Sequence, residues 1–392
     1  MKVLFFCRKM PDLCGAFLHD IDLALELLKR GHQVVFLTVS IPSEGYNGGY
    51  WQGFRFMHYT AASSFLDSSD IWICPHAPVL PDVRKLNNRG YNRPIIATCH
   101  YDGNYNMIRA INTTRPEWTE MICFINRVME THYRKNITPW PIQIVKTETV
   151  RPILHREKVC FEGGPQGNCI TLINANLNKG VHQFLALARA MPDHKFLGIL
   201  PYYGEKNVPP APANIEWIPF QNDIRDVLKR TRILLVPSYY ESFGRVAVEA
   251  MVNGIPVLYA KPATNSVYPG GSTEGLDDWI RPVGIGLDRD ATQEWVDAVR
   301  VLDDPDTYSR KSEESRAHIE AMNLFGEGIR IAELVENFSR QYPAAKKSST
   351  AIEPPRGSGA TQGTQVATMP KEPMNPGRAG FGFSNGRLKI QR

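Results

Sequence analysis

Residues 233–261, ILLVPSYYESFGRVAVEAMVNGIPVLYAK, decide the fold. They read as strand, loop, helix, tight turn, strand. The opening ILLV is a short apolar run closed by Pro237, with the length and composition of a strand buried on both faces. Ser242 is placed to cap the helix that follows, and Val246, Ala250 and Met251 recur along it at helical spacing. Asn253-Gly254 ends that helix through the left-handed position glycine tolerates, and Ile255-Pro256-Val257-Leu258 begins the next strand. This is a βαβ unit.

Its entrance carries chemistry. Glu241 stands in the loop before the helix and Glu249 about two turns inside it, and helical side chains lean toward the N-terminus, so Glu249 is expected to reach back to the same opening. Between them Ser242, Phe243 and Gly244 offer backbone N–H groups at a helix start, a natural phosphate site. Carboxylates accept from sugar hydroxyls while amides hold phosphate. The pattern outlines a nucleotide-sugar. A capped helix whose glutamates only favour its first turns fits the same residues.

The segment resembles the E-x7-E signature of glycosyltransferase family 4, the retaining family with the GT-B fold, in the form E-S-F-G-x-x-x-x-E, with VPS before it and NGIPV after it. The resemblance implies two Rossmann-like doubly wound α/β domains facing across a cleft. It implies that Glu241 contacts the donor sugar, that Glu249 contacts the ribose hydroxyls, and that the amides of Phe243 and Gly244 face the diphosphate.

At 392 residues the chain is long enough for two cores, and its 43% apolar and 22% charged content is that of an ordinary globular protein. No apolar run is long enough to cross a bilayer, and residues 3–7 read as a first strand rather than a signal-peptide core. Seven cysteines without metal-ligand spacing read as reduced thiols, which places the protein in the cytoplasm. The net charge of +5 is uneven: residues 1–150 carry +3, 151–343 carry −4 and 344–392 carry +6.

Working outward, residues 3–7 and 34–39 read as strands around a helix at 16–30, with Gly15 in the loop over the cleft. Strands follow at 71–74, 94–99, 121–126 and 142–145. His100 ends one of them, where the family often places a histidine near the reacting sugar; His76 ends another and reads as structural. His19 and Asp20 fall on the first helix, where they either face the cleft or, as the better reading, form a solvated helix face. Residues 151–168, rich in Gly and Pro, read as a linker between a first domain at 1–150 and a second at 169–325. The second begins with a strand at 169–174 and adds strands at 196–200 and 215–218. Lys179-Gly180 resembles the family's K-G element, whose lysine neutralises the donor diphosphate. The arginine usual five or six residues earlier is replaced by Asn174 and Ile173. Gly270-Gly271 reads equally as a phosphate-facing turn or a surface turn. A last helix at 326–343 is expected to return to the first domain, and the Pro/Gly/Ser-rich basic tail at 344–392 to be disordered.

The resemblance implies retaining transfer to a hydroxyl acceptor with no cofactor and no metal; no carboxylate pair stands at a strand end to bind one. Lys179 and the helix start serve the leaving diphosphate, and His100 and Glu241 hold the sugar. The acceptor is a glycan or small molecule. The basic stretch of Arg84, Lys85, Arg89 and Arg93, with the basic tail, opens the possibility of a hydroxymethylated base in DNA. Tyr46, Tyr50, Trp51 and Tyr101 stack on a ligand or simply pack. From another class, a non-catalytic nucleotide-sugar-binding module fits the loss at Asn174.

Overall fold

The computed structural model describes residues 1–8, 10, 15–39, 48–75, 77–101, 105–109, 117–202, 210–263 and 273–344. His76, Tyr46, Gly270, Gly271 and the tail beyond 344 lie outside them.

Two sheets organise the molecule. The first contains β1 (Lys2–Cys7), β2 (Gln33–Thr38), β3 (Gly49–Trp51), β4 (Phe54–His58), β5 (Ile71–Cys74), β6 (Ile95–Cys99), β7 (Glu120–Phe124) and β8 (Ile144–Thr149), in the order β3-β4-β2-β1-β5-β6-β7-β8. All its pairings are parallel except β3 with β4. The second contains β9 (Cys169–Leu172), β10 (Lys195–Ile199), β11 (Ile215–Ile218), β12 (Thr231–Val236), β13 (Val257–Ala260) and β14 (Ile285–Leu287), in the order β11-β10-β9-β12-β13-β14, parallel throughout. The central strands are buried on both faces and almost wholly apolar, Thr98 and Thr171 apart; every residue of β5, β6, β9 and β13 is buried.

Chain order reverses at β1 in the first sheet and at β9 in the second. In open parallel sheets, ligands bind beyond the strand ends at such a reversal. The helix Gly15–Lys29 follows β1 and starts at its cavity-lining Gly15, and the loop carrying Asn174 and Lys179 leaves β9. Both reversals face one cleft.

Three short strands were not legible in the sequence. β3 and β4 are joined through Gln52 (φ 47°) and Gly53 (φ 83°), a two-residue turn with both residues left-handed. Gln-Gly lacks the Asn or Asp that ordinarily marks this turn. β14 has only three residues. The edge strand expected at 142–145 instead begins at Ile144 and runs to Thr149.

The first part of the stretch 151–168 is packed against the first domain. Ile153, Leu154 and Val159 are buried in a core continuous with the first sheet, and Arg156–Val159 forms a helical turn. The helix Glu327–Gln341 lies against the helix Gly15–Lys29. Its Ile331, Val335 and Phe338 join the first core, and Glu336 accepts from Arg30 at 2.8 and 2.9 Å.

Two sequence readings are corrected. His19 and Asp20 are not solvated: both are buried on the inner face of their helix. Half of the basic stretch is not on the surface: Lys85 and Arg89 are exposed, but Arg84 and Arg93 are buried. Arg84 is buried against Glu120, with Nε 2.6 Å from its carboxylate. Arg93 is buried and donates to the carbonyl of Asp67. Lys85 lies 3.4 Å from Asp82. Leu80–Asn87 is an amphipathic helix, and its first arginine neutralises a carboxylate at the start of β7.

Candidate active site

The cleft holds a cavity of about 320 Å³. Gly15, His19 and His100 line it from the first-sheet side. Asn174, Lys179, Ser238, Glu241, Ser242, Phe243, Gly244 and Arg245 line it from the second. Of the residues assigned to the donor or to catalysis in the sequence, Glu249 alone is not in its wall.

Lys179 and Glu241 form its centre. Lys179 Nζ donates to Glu241 Oε1 at 2.6 Å, and Ser238 Oγ donates to the same oxygen at 2.8 Å. Asn176 caps the short turn Leu177–Lys179 by accepting from the Lys179 amide at 3.1 Å. Gly180 then takes φ +76°, and a Cβ there would stand 2.2 Å from the carbonyl oxygen of Pro237. Only glycine lets the lysine loop come that close to the loop bearing Glu241. A lysine amine has three donors, so contact with Glu241 leaves others for a ligand.

The loop 241–244 is held from several directions. Asn126, at the end of β7, donates to the Ser242 carbonyl. Trp279 Nε1 donates to the Phe243 carbonyl at 2.7 Å, and its ring stacks on Phe243 at 5.3 Å between centroids. Gly244 takes φ +78° against Leu276 and stands at the helix N-cap, so the helix starts at Arg245. Ser242 is therefore not its cap, contrary to expectation. The glycine breaks the chain direction two residues later than the Ser-first pattern implies.

Glu249 is also placed otherwise than expected. It is buried, and Arg245, one turn earlier, donates to its Oε1 at 2.8 Å. The i,i+4 pairing turns the carboxylate toward the arginine instead of the opening. Burial outweighs Arg245 and raises the Glu249 pKa. Arg245 also reaches Asp22 at 3.3 Å, and Asp22 lies 2.8 Å from Lys158 Nζ and 3.2 Å from His155 Nε2. Against the cost of its burial, His155, Arg245 and Lys158 hold Asp22 down at about 2.

His100 and His19 meet edge to face with ring centroids 5.3 Å apart. The Ile153 amide donates to His19 Nδ1 at 3.3 Å, and burial, with Arg245 nearby, lowers the His19 pKa to about 4. His19 is thus neutral at physiological pH. Asp20 beside it is pushed well above the carboxylate range by burial and by Asp22. Arg245 was missed as a site residue, and His19 was set aside in favour of a solvated helix face. The signal for His19 was its place one turn after the cleft loop; for Arg245 it was a charge inside the E-x7-E segment.

The protein has the GT-B fold. Its solved neighbours include HepE of Anabaena in complex with UDP-glucose (TM-score 0.64, 14% identity, 86% of this chain and 100% of that one). They also include sucrose-phosphate synthase of Thermosynechococcus elongatus (TM-score 0.63, 14% identity, 87% and 99%). Residues 210–268 match the family model described as Glycosyl transferases group 1. Among curated relatives, the D-inositol 3-phosphate glycosyltransferase of Corynebacterium kroppenstedtii is 30% identical over 128 residues, 32% of this chain and 26% of the relative. That of Gordonia bronchialis is 32% identical over 113 residues, 29% and 21%. The match spans about a quarter of the length of these relatives, and the group 1 segment contains the loop that carries Glu241.

Proposed function

We propose that this GT-B protein is a retaining glycosyltransferase that moves a sugar from a nucleoside-diphosphate sugar, a UDP-sugar foremost, to a hydroxyl acceptor. The observation that carries the reading is the adjacency of Lys179 and Glu241, 2.6 Å apart, in a cavity between two sheet reversals. The group 1 segment and the glycosyltransferase names of the curated relatives support the same class.

In this reading the bond between the anomeric carbon and the diphosphate oxygen breaks, and the acceptor oxygen bonds to that carbon on the same face. The acceptor's proton passes to the departing diphosphate. Lys179 and the amides of Phe243 and Gly244 meet the charge that develops there, while Glu241 and His100 position the sugar. Ser242 completes the diphosphate loop, Glu249 holds Arg245 beside it rather than the ribose, and Gly15, at the start of its helix, leaves open space on the first-sheet side. The acceptor, a glycan or small molecule, binds on the first-sheet side. No metal is assigned a role.

The test is release of nucleoside diphosphate from UDP-, GDP- and ADP-sugars, beside a Glu241→Ala control. Release of one diphosphate, lost in the control, supports the transferase. Binding of a nucleotide-sugar without turnover would instead make the chain a binding module.

A further inference from the structure

His19 is buried and yet lines the cavity. The Ile153 amide donates to its Nδ1 at 3.3 Å. A backbone N–H can only donate, so Nδ1 is the bare nitrogen and the ring proton of the neutral imidazole sits on Nε2. Burial, with Arg245 nearby, lowers the pKa to about 4, and the ring takes no second proton near neutrality. His19 is therefore a neutral side chain with one fixed donor.

That donor is open. Among the described residues none accepts from Nε2, and Nε2 is not one of the side-chain atoms shut away from solvent without a partner. The space this ring lines is the cavity. The ring is held in place by the Ile153 amide and by His100, which packs edge to face at 5.3 Å. Glu241, paired with Lys179 at 2.6 Å, lines the second-sheet side. A carboxylate accepts only, and this imidazole donates only. A ligand between them has to give a proton to one wall and take a hydrogen bond from the other. A sugar hydroxyl does both; an ionised phosphate has no proton to give and an ammonium group has no lone pair to offer.

We infer that His19 is a sugar-binding residue, its Nε2–H donating from the first-sheet wall to a hydroxyl oxygen of the sugar carried on the nucleotide. The inference rests on the nucleotide-sugar reading above. With Nδ1 taken by Ile153, His19 gives a hydrogen bond and accepts no proton in the transfer.

Two substitutions separate sugar binding from a structural role. His19→Asn places an amide oxygen near the Nδ1 position, where it can serve Ile153, and lacks the cavity donor. His19→Gln reaches the Nε2 position with an N–H and gives up the Ile153 contact. The measurement is calorimetric binding of UDP-, GDP- and ADP-glucose, each beside its diphosphate, with no acceptor present. For the nucleotide that the unaltered protein binds, His19→Asn is expected to weaken the glucose form about 5- to 20-fold and to leave the diphosphate within about twofold. His19→Gln should hold the glucose form within about threefold. Equal loss in the two variants, loss in His19→Gln alone, loss shared by the diphosphate, or no loss would each overturn the inference. So would an unaltered protein that binds the diphosphate but not its glucose form. If it binds neither, the nucleotide-sugar reading itself fails. Should His19→Asn not fold, nuclear magnetic resonance of the unaltered protein with isotope-labelled histidine carries the test. The Nε2–H signal of His19, assigned through the Ile153 amide, should move on adding the glucose form and stay in place with the diphosphate alone; movement with both alike, or with neither, overturns the inference.

Discussion

His19 shows how one buried residue records the chemistry of the cleft. Burial, then Arg245, lowers its pKa from 6.5 to about 4. Above pH 6.5 folded and unfolded chains both carry it neutral. Between 6.5 and 4 the unfolded chain takes up a proton that the folded one refuses, so stability falls as the pH falls through this window. The full shift corresponds to about 3 kcal/mol. Melting temperature followed against pH should therefore decline from pH 6.5 to 4 in the unaltered protein and more shallowly in His19→Gln. Parallel curves would show that His19 is not held neutral. The loss tied to Asp22 lies lower, where pH falls from 3.8 through about 2. At this scale the sequence made Glu241 and Lys179 legible, because local motifs carry them. It left His19 illegible, because a helix position alone does not say which face is covered by residues 151–168.

Among the elements, glycines and one asparagine set the active-site loops. Gly180→Ala forces a side chain into a left-handed backbone and against the Pro237 carbonyl. The backbone strain alone costs about 1–2 kcal/mol, and relieving the clash moves Lys179 away from Glu241. Urea unfolding should show at least that loss, and diphosphate release should fall with it. Unchanged release would detach the Lys179–Glu241 spacing from activity. Asn253 joins the helix Arg245–Met251 to the stretch after β8: its amide donates to the carbonyls of Val159 and Glu249, and its oxygen accepts from Phe161. Asn253→Ala removes three hydrogen bonds, two of them buried, and should cost about 2–4 kcal/mol in the same unfolding measurement. The Asn253-Gly254 stop was legible because Gly254 takes the left-handed turn its chemistry allows (φ 76°). The cap at Ser242 was misread because Gly244 serves as the start, and the β3–β4 hairpin went unread because its turn residues are atypical.

On the scale of the whole molecule, the α/β alternation in both halves made two parallel sheets legible, and the resemblance carried by residues 241–249 implied their GT-B arrangement. Long parallel strands buried on both faces leave continuous apolar runs that short edge strands do not. The surface was harder to read. A run of four basic residues gave no hint that Arg84 and Arg93 serve buried structure, since charge in sequence carries no depth. The proposed chemistry assigns the leaving diphosphate to Lys179 and backbone amides, so excess EDTA should leave turnover within about twofold. A loss restored by a divalent ion would place a metal in the transfer.

The central claim is that Lys179 and Glu241 act together on a nucleoside-diphosphate sugar. The direct measurement is the rate of diphosphate release, with the donor the panel selects, by the unaltered protein, Lys179→Ala and Glu241→Gln. Melting temperatures would confirm that each is folded. The account predicts a fall of about 100- to 1,000-fold in each variant. Release at the unaltered rate by either folded variant would contradict it.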